Sequence, residues 1–109
     1  MLSVTAKHGP SGLCSISSEG HAGFAEEGHD IVCAAVSTLM QALCVGLEDV
    51  VGLNDVICLS DRAVPMMSIE WAGGGESAQK IALTVLLSLK GVAASYPNFV
   101  SIAEVFEEE

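Results

Sequence analysis

The chain has 109 residues, half of them hydrophobic, and a formal charge of −10 from fourteen acidic against four basic side chains. That length suits one domain, residues 1–109, with a single modest core. The charge repels phosphate backbones and anionic lipid surfaces and favours basic partners, so direct nucleic-acid binding and a membrane partner are not expected.

The opening Met1-Leu2-Ser3-Val4-Thr5-Ala6-Lys7 has no basic region followed by an apolar stretch, and no apolar run on this reading approaches the roughly 20 residues that span a bilayer. A soluble, unexported, cytoplasmic protein is expected. Leu2, Val4 and Ala6 alternate with Ser3, Thr5 and Lys7, and Cys14 and Ile16 alternate with Ser15 and Ser17. With Gly9-Pro10-Ser11-Gly12 between them, these runs predict a hairpin. Residues 18–29 carry Gly20, Gly23 and Gly28 with little apolar content and predict a flexible loop. Beyond it, Val32, Val36, Leu39, Met40, Leu43 and Leu47 recur at helical spacing, with Asp30 where an N-cap would stand.

Asp55 to Leu59 is a short run with β-branched residues, Ser60-Asp61-Arg62-Ala63 offers a turn, and Met67, Ile69 and Trp71 alternate with Ser68 and Glu70. A second hairpin follows, its Met and aromatic positions belonging to the core. After three glycines, Glu76 opens a second helix with a stripe of Ile81, Val85, Leu89, Val92 and Tyr96, stopped by Pro97. Phe99 to Val105 can add a last strand. The order β-β-α-β-β-α predicts an α+β sandwich, two helices over a mainly antiparallel sheet, with sheet edges that favour a homodimer.

Cys14, Cys33, Cys44 and Cys58 form no C-x-x-C pair, so no zinc knuckle or thioredoxin-type motif is spelled out. In an unexported chain all four are expected to be reduced, with Cys14, Cys44 and Cys58 acting as small buried hydrophobes. Cys33 differs. An N-cap at Asp30 puts its sulfur in the first helical turn, where unpaired N–H groups and about half a positive charge favour the thiolate. Such a thiolate attacks carbonyl carbon when a histidine stands beside it. His29 directly precedes the cap and is expected to point away, whereas His21 sits on a segment able to fold back at a modest loop-closure cost. Asp30 can act as cap or as histidine partner, and Ser37, one turn after Cys33, as a supporting hydroxyl or a back-bonded one.

The segment Gly20-His21-Ala22-Gly23-Phe24-Ala25, continuing from Gly28-His29-Asp30 through Cys33 to Leu39, closely resembles the signature of the bacterial ribosomal-processing cysteine protease family, Prp. The helix from Glu76 through Ala78-Gln79 to Leu89 is similar to that family's second segment. The resemblance implies a homodimeric α+β endopeptidase that uses no cofactor. Its implied substrate is the N-terminal extension of one large-subunit ribosomal protein, number twenty-seven, cut after paired aromatic residues. By motif position the catalytic histidine falls on His21 and the nucleophile on Cys33, with Asp30 and Ser37 in support. The glycines at 20, 23 and 28 then read as hinges of a loop that orders over bound peptide, and helix-start N–H groups as the oxyanion hole. Val50 to Ala63 is more apolar than the family pattern. Two rival readings are a zinc site of His21, His29, Cys33 and Asp30, and a non-enzymatic acidic adaptor dimer for ribosomal protein tails.

Overall fold

A computed structural model describes residues 1–26, 29–61 and 63–107. Five strands and two long helices alternate in the order β1 (Leu2–Gly9), β2 (Gly12–Glu19), α1 (Ile31–Val45), β3 (Ile57–Asp61), β4 (Met66–Glu70), α2 (Gly75–Ser95) and β5 (Val100–Phe106). The strands form one sheet in the order β3-β4-β2-β1-β5. Three pairings are antiparallel, and β5 runs parallel to β1 after the crossover through α2. This is the expected α+β domain with a mainly antiparallel sheet, and the seventh element is the optional last strand.

The alternation in β1 does what a period of two dictates: Leu2, Val4 and Ala6 are buried and Ser3 and Lys7 are exposed. In β2 the expectation needs correction. A bulge opposite Lys7 and His8 pairs Lys7 with Ser15 and His8 with Leu13, so Cys14 is the extra residue and Leu13, not Cys14, enters the core. The Cys14 thiol donates to the Lys7 carbonyl instead, at 3.4 Å.

Helix α1 begins where Asp30 predicts, and Val32, Val36, Met40 and Leu43 form its buried stripe. It continues without a break into a π-helical turn, Gly46–Val51, that buries Leu47 and stops at Gly52 in the left-handed region, φ +82°. The combined helix, Ile31–Val51, is long and apolar enough by length and composition to cross a membrane, which corrects the expectation of no such stretch. Here its apolar stripe packs against α2 and the sheet.

Helix α2 buries Ala78, Ala82, Val85, Leu86 and Leu89, while Ile81, Val92 and Tyr96 of the expected stripe lie at its margin. Ala78 and Ala82 are small side chains fully buried on this face. Gln79 stitches α2 to the bulged strand, accepting from the Leu13 N–H at 2.9 Å and donating to the Leu13 carbonyl at 2.7 Å.

One further correction concerns the cysteines. Cys44 on α1 and Cys58 on β3 are joined as a disulfide, with Cα atoms 6.5 Å apart, rather than standing as separate reduced hydrophobes. Cys14 and Cys33 are free thiols.

Candidate active site

The site is assembled where β2 leaves the sheet and α1 begins. Gly20 bends the chain at φ +93°, and a Cβ there would stand 2.8 Å from the Met1 carbonyl oxygen. A side chain is excluded both by conformation and by space. The Gly20 N–H donates to the Pro65 carbonyl at 2.9 Å, which anchors the bend to the β3–β4 hairpin. His21 follows immediately and is exposed. Ala22 is buried, fixing the backbone beyond the histidine.

Asp30 settles as the α1 N-cap. One carboxylate oxygen, Oδ1, accepts from the Val32 and Cys33 N–H groups, each at 3.0 Å. The other, Oδ2, accepts from Phe24 N–H at 3.1 Å, so one side chain closes the helix and holds the loop. Phe24 is further held edge-on by Tyr96 and Phe99, with ring centroids 5.5 Å and 5.3 Å away. The loop is therefore tied down at Phe24, a residue whose anchoring role the glycine-rich composition concealed. Gly23 beside it has φ +74° with open space around its Cα. Gly28, read as a third hinge, lies outside the described residues.

Cys33 is half-buried, and its Sγ accepts from the Ala22 N–H at 3.3 Å. Its thiol is held above the ordinary cysteine value, first by burial and then by the negative charge and contact of Asp30, with the Ala22 N–H working the other way. This reverses the expectation of a thiolate favoured by the helix start. Burial is the larger cause, and the helix-start donors beside the sulfur are already taken. Val32 and Cys33 N–H groups bond Asp30 Oδ1, and the Ala34 N–H bonds the Asp30 carbonyl at 3.0 Å. For the same reason those groups do not form an open oxyanion hole, and the donor aimed at the sulfur is Ala22 N–H. Burial works upward on Asp30 too, but the N–H groups of Cys33 and Phe24 and the Cys33 thiol outweigh it and hold the carboxyl below its usual value.

Two clefts meet at this point. One, about 420 Å³, is lined by His21, Gly23, Ala25, Asp30, Cys33 and Ser37 among others. The second, about 480 Å³, shares His21, Cys33 and Ser37 and runs on past Leu2, Val36, Pro65, Met66 and Met67. Of the residues expected to act together, His21, Cys33, Asp30 and Ser37 thus line one place. Among the described residues no hydrogen bond links His21 to Cys33, and the Ser37 hydroxyl makes none within the protein, the back-bonding hydroxyl here being that of Thr38, to Ala34 at 2.8 Å. The apolar wall from β1 and β4 was not foreseen, since core-type residues at sheet ends carry no local signal of a groove. The zinc reading finds no support: the donors that converge within ligand distance among the described residues are Cys44, Glu48 and Cys58, not the histidines.

A family model described as cysteine protease Prp matches residues 1–101. A ribosomal processing cysteine protease Prp of Mycoplasma pneumoniae is 31% identical over 109 residues, which is 100% of both chains. A solved Streptococcus mutans structure superposes with a TM-score of 0.83 at 32% identity, covering 98% of this chain and 96% of that one. An essential ribosomal processing protease Prp from S. aureus, in complex with a covalently linked product peptide, superposes with a TM-score of 0.78 at 26% identity, covering 95% of this chain and 99% of that one.

Proposed function

This chain belongs to the cysteine protease Prp family and is a cysteine protease, and from that premise we propose that it processes a ribosomal protein by cutting its N-terminal extension, with Cys33 as nucleophile and His21 as acid and base. The observation that carries the assignment is the meeting of two clefts at His21, Cys33 and Ser37, which lets an extended peptide cross the thiol with its scissile bond at the junction. The adaptor reading gives way to the enzyme.

In the resting site burial and Asp30 favour the protonated thiol over the thiolate. Peptide binding and approach of the His21 imidazole remove that proton, and the sulfur attacks the scissile carbonyl. The Ala22 N–H, which bonds Sγ at rest, then donates to the oxygen that becomes negative. His21 gives its proton to the leaving amine, then activates water to hydrolyse the thioester. Asp30 is a positioning residue that sets the helix start and the loop. Ser37, open to both clefts, offers a hydroxyl to the bound chain. Bending at Gly20 and Gly23 carries His21 over the peptide, with Phe24 as the fixed point. The molecule works as a homodimer, which sedimentation at working concentrations would check.

The acidic chain suits a lysine-rich ribosomal protein, and the groove wall of Leu2, Met66 and Met67 suits apolar residues before the cut. The substrate read from the resemblance is the large-subunit protein numbered twenty-seven, cleaved after paired aromatics. The test is to incubate the enzyme with peptides covering the N-termini of its host's ribosomal proteins and to locate cuts by mass spectrometry. One cut after an aromatic pair, in that protein's peptide, is expected. Cleavage confined to another ribosomal peptide, or to none, would overturn the substrate assignment.

A further inference from the structure

Some 14 residues apart in sequence, Cys44 on α1 and Cys58 on the edge strand β3 bring their sulfurs together at the opposite end of α1 from Cys33. A third donor joins them. Glu48, one turn beyond Cys44 in the π-helical stretch, places the same carboxylate oxygen 3.0 Å from the Cys44 sulfur and 3.1 Å from the Cys58 sulfur. A disulfide has no proton to give, so in the bonded state this carboxylate gains nothing from facing both sulfurs. Its position makes sense for a state in which the sulfurs are thiols or thiolates. The three donor atoms lie within 4.8 Å of one another, and both sulfurs are half-buried while Glu48 is exposed, leaving one side open to solvent.

We propose that in the reduced protein Cys44, Cys58 and Glu48 form a binding site for a thiophilic divalent cation of the zinc class. Reduction by a phosphine or a dithiol breaks the S–S bond and leaves two thiols, the reductant being oxidised. The cation then displaces both thiol protons to solvent, giving two thiolates and one carboxylate as ligands and water in the fourth position. Two metal–sulfur bonds of about 2.3 Å in tetrahedral geometry need the sulfurs roughly 3.8 Å apart, which side-chain rotation supplies across a Cα separation of 6.5 Å. Soft thiolates select zinc over calcium or magnesium, and a paired-cysteine cluster in a reducing compartment is the setting in which metal rather than disulfide is favoured. Glu48 reaches the sulfurs because it stands four residues after Cys44, on the same helix face, and π turns of this kind recur at functional sites. The cation would staple α1 to β3, whose Ser60 and Asp61 line the peptide cleft.

The test uses the full chain carrying Cys33→Ala, so that the active-site thiol cannot bind metal, reduced and then freed of reductant under nitrogen. Zinc chloride is titrated against a chromogenic chelator, and cobalt chloride is followed by absorbance. One equivalent of zinc and a thiolate-to-cobalt charge-transfer band are expected. Cys44→Ser and Cys58→Ser should each weaken binding by more than about tenfold and diminish the band, and Glu48→Gln should weaken it by about tenfold. Circular dichroism of each variant confirms that it is folded, and Cys14→Ser, away from the cluster, should bind as the parent does. No uptake by the folded, reduced parent, uptake unchanged by Cys44→Ser, or a disulfide that yields to reductant only on unfolding would each overturn the proposal.

Discussion

Replacing Asp30 separates three effects that one carboxylate combines. Asp30→Ala removes the acceptor for the Val32 and Cys33 N–H groups, both part-buried, and for the Phe24 N–H, which is exposed to water. Loss of an N-cap of this kind costs about 1 kcal/mol, within a range of about 0.5 to 2. The two part-buried donors place this site in the upper half of that range, and the melting temperature should fall by about 4 to 8 °C for each kcal/mol in a domain near this size. Asp30→Asn keeps an oxygen for the two helix donors, so it should stay within about 0.5 kcal/mol of wild type, while its amide nitrogen cannot accept from Phe24. Both changes remove the negative charge that, after burial, raises the Cys33 thiol. The pH midpoint for alkylation of Cys33 by iodoacetamide, read by mass spectrometry in a Cys14→Ser background, should therefore move down in both variants. Equal loss of stability in Asp30→Asn and Asp30→Ala, or an unmoved alkylation midpoint, would refute this division of roles.

Gly20→Ala should be strongly destabilising and lower peptide cleavage, since its Cβ meets the Met1 carbonyl at 2.8 Å, whereas Gly23→Ala meets nothing and should cost only about 1 to 2 kcal/mol for its left-handed backbone; urea melts distinguish them. Phe24→Ala removes the edge-on contacts with Tyr96 and Phe99, and should raise proteolytic nicking around residues 22–26 while costing the fold about 0.5 to 1.5 kcal/mol beyond its lost burial. Leu43→Ala, at a position with no solvent exposure, should cost about 2 to 5 kcal/mol by chemical denaturation. In acid, the sign follows from Asp30, whose folded carboxyl sits below its ordinary value. Its stabilising share is present above the ordinary carboxylate range and is lost as pH falls through the lowered folded value, so any stability advantage of wild type over Asp30→Asn should shrink on acidification.

The elements were legible where a period and a punctuating residue agree. Alternation fixed β1, and Asp30 with the Val32, Val36, Met40 and Leu43 spacing fixed the start and face of α1. Features whose geometry departs from a regular period leave no such signal. The bulge that exchanges Cys14 for Leu13, the π turn after Val45 and the burial of Ala78 and Ala82 on α2 depend on partners remote in sequence. At the site, the motif brought His21, Cys33, Asp30 and Ser37 to one place. The sequence left Asp30 open between cap and partner, and hydrogen bonds from residues 24, 32 and 33 resolve it. The raised Cys33 thiol was not legible because nothing local says that the sulfur will be buried or that the cap will use the donors beside it. The pairing of Cys44 with Cys58 was likewise invisible, since nothing local says that a helix end will face an edge strand.

That Cys33 carries the acyl group and His21 moves the proton can be read most directly by rapid-quench mass spectrometry with an activated ester of a cleavable peptide. A transient adduct on Cys33 is expected that hydrolyses in wild type, is absent in Cys33→Ser, and forms and decays far more slowly in His21→Gln but not in His29→Gln. An adduct on Cys14, or turnover that survives Cys33→Ser, would contradict these roles.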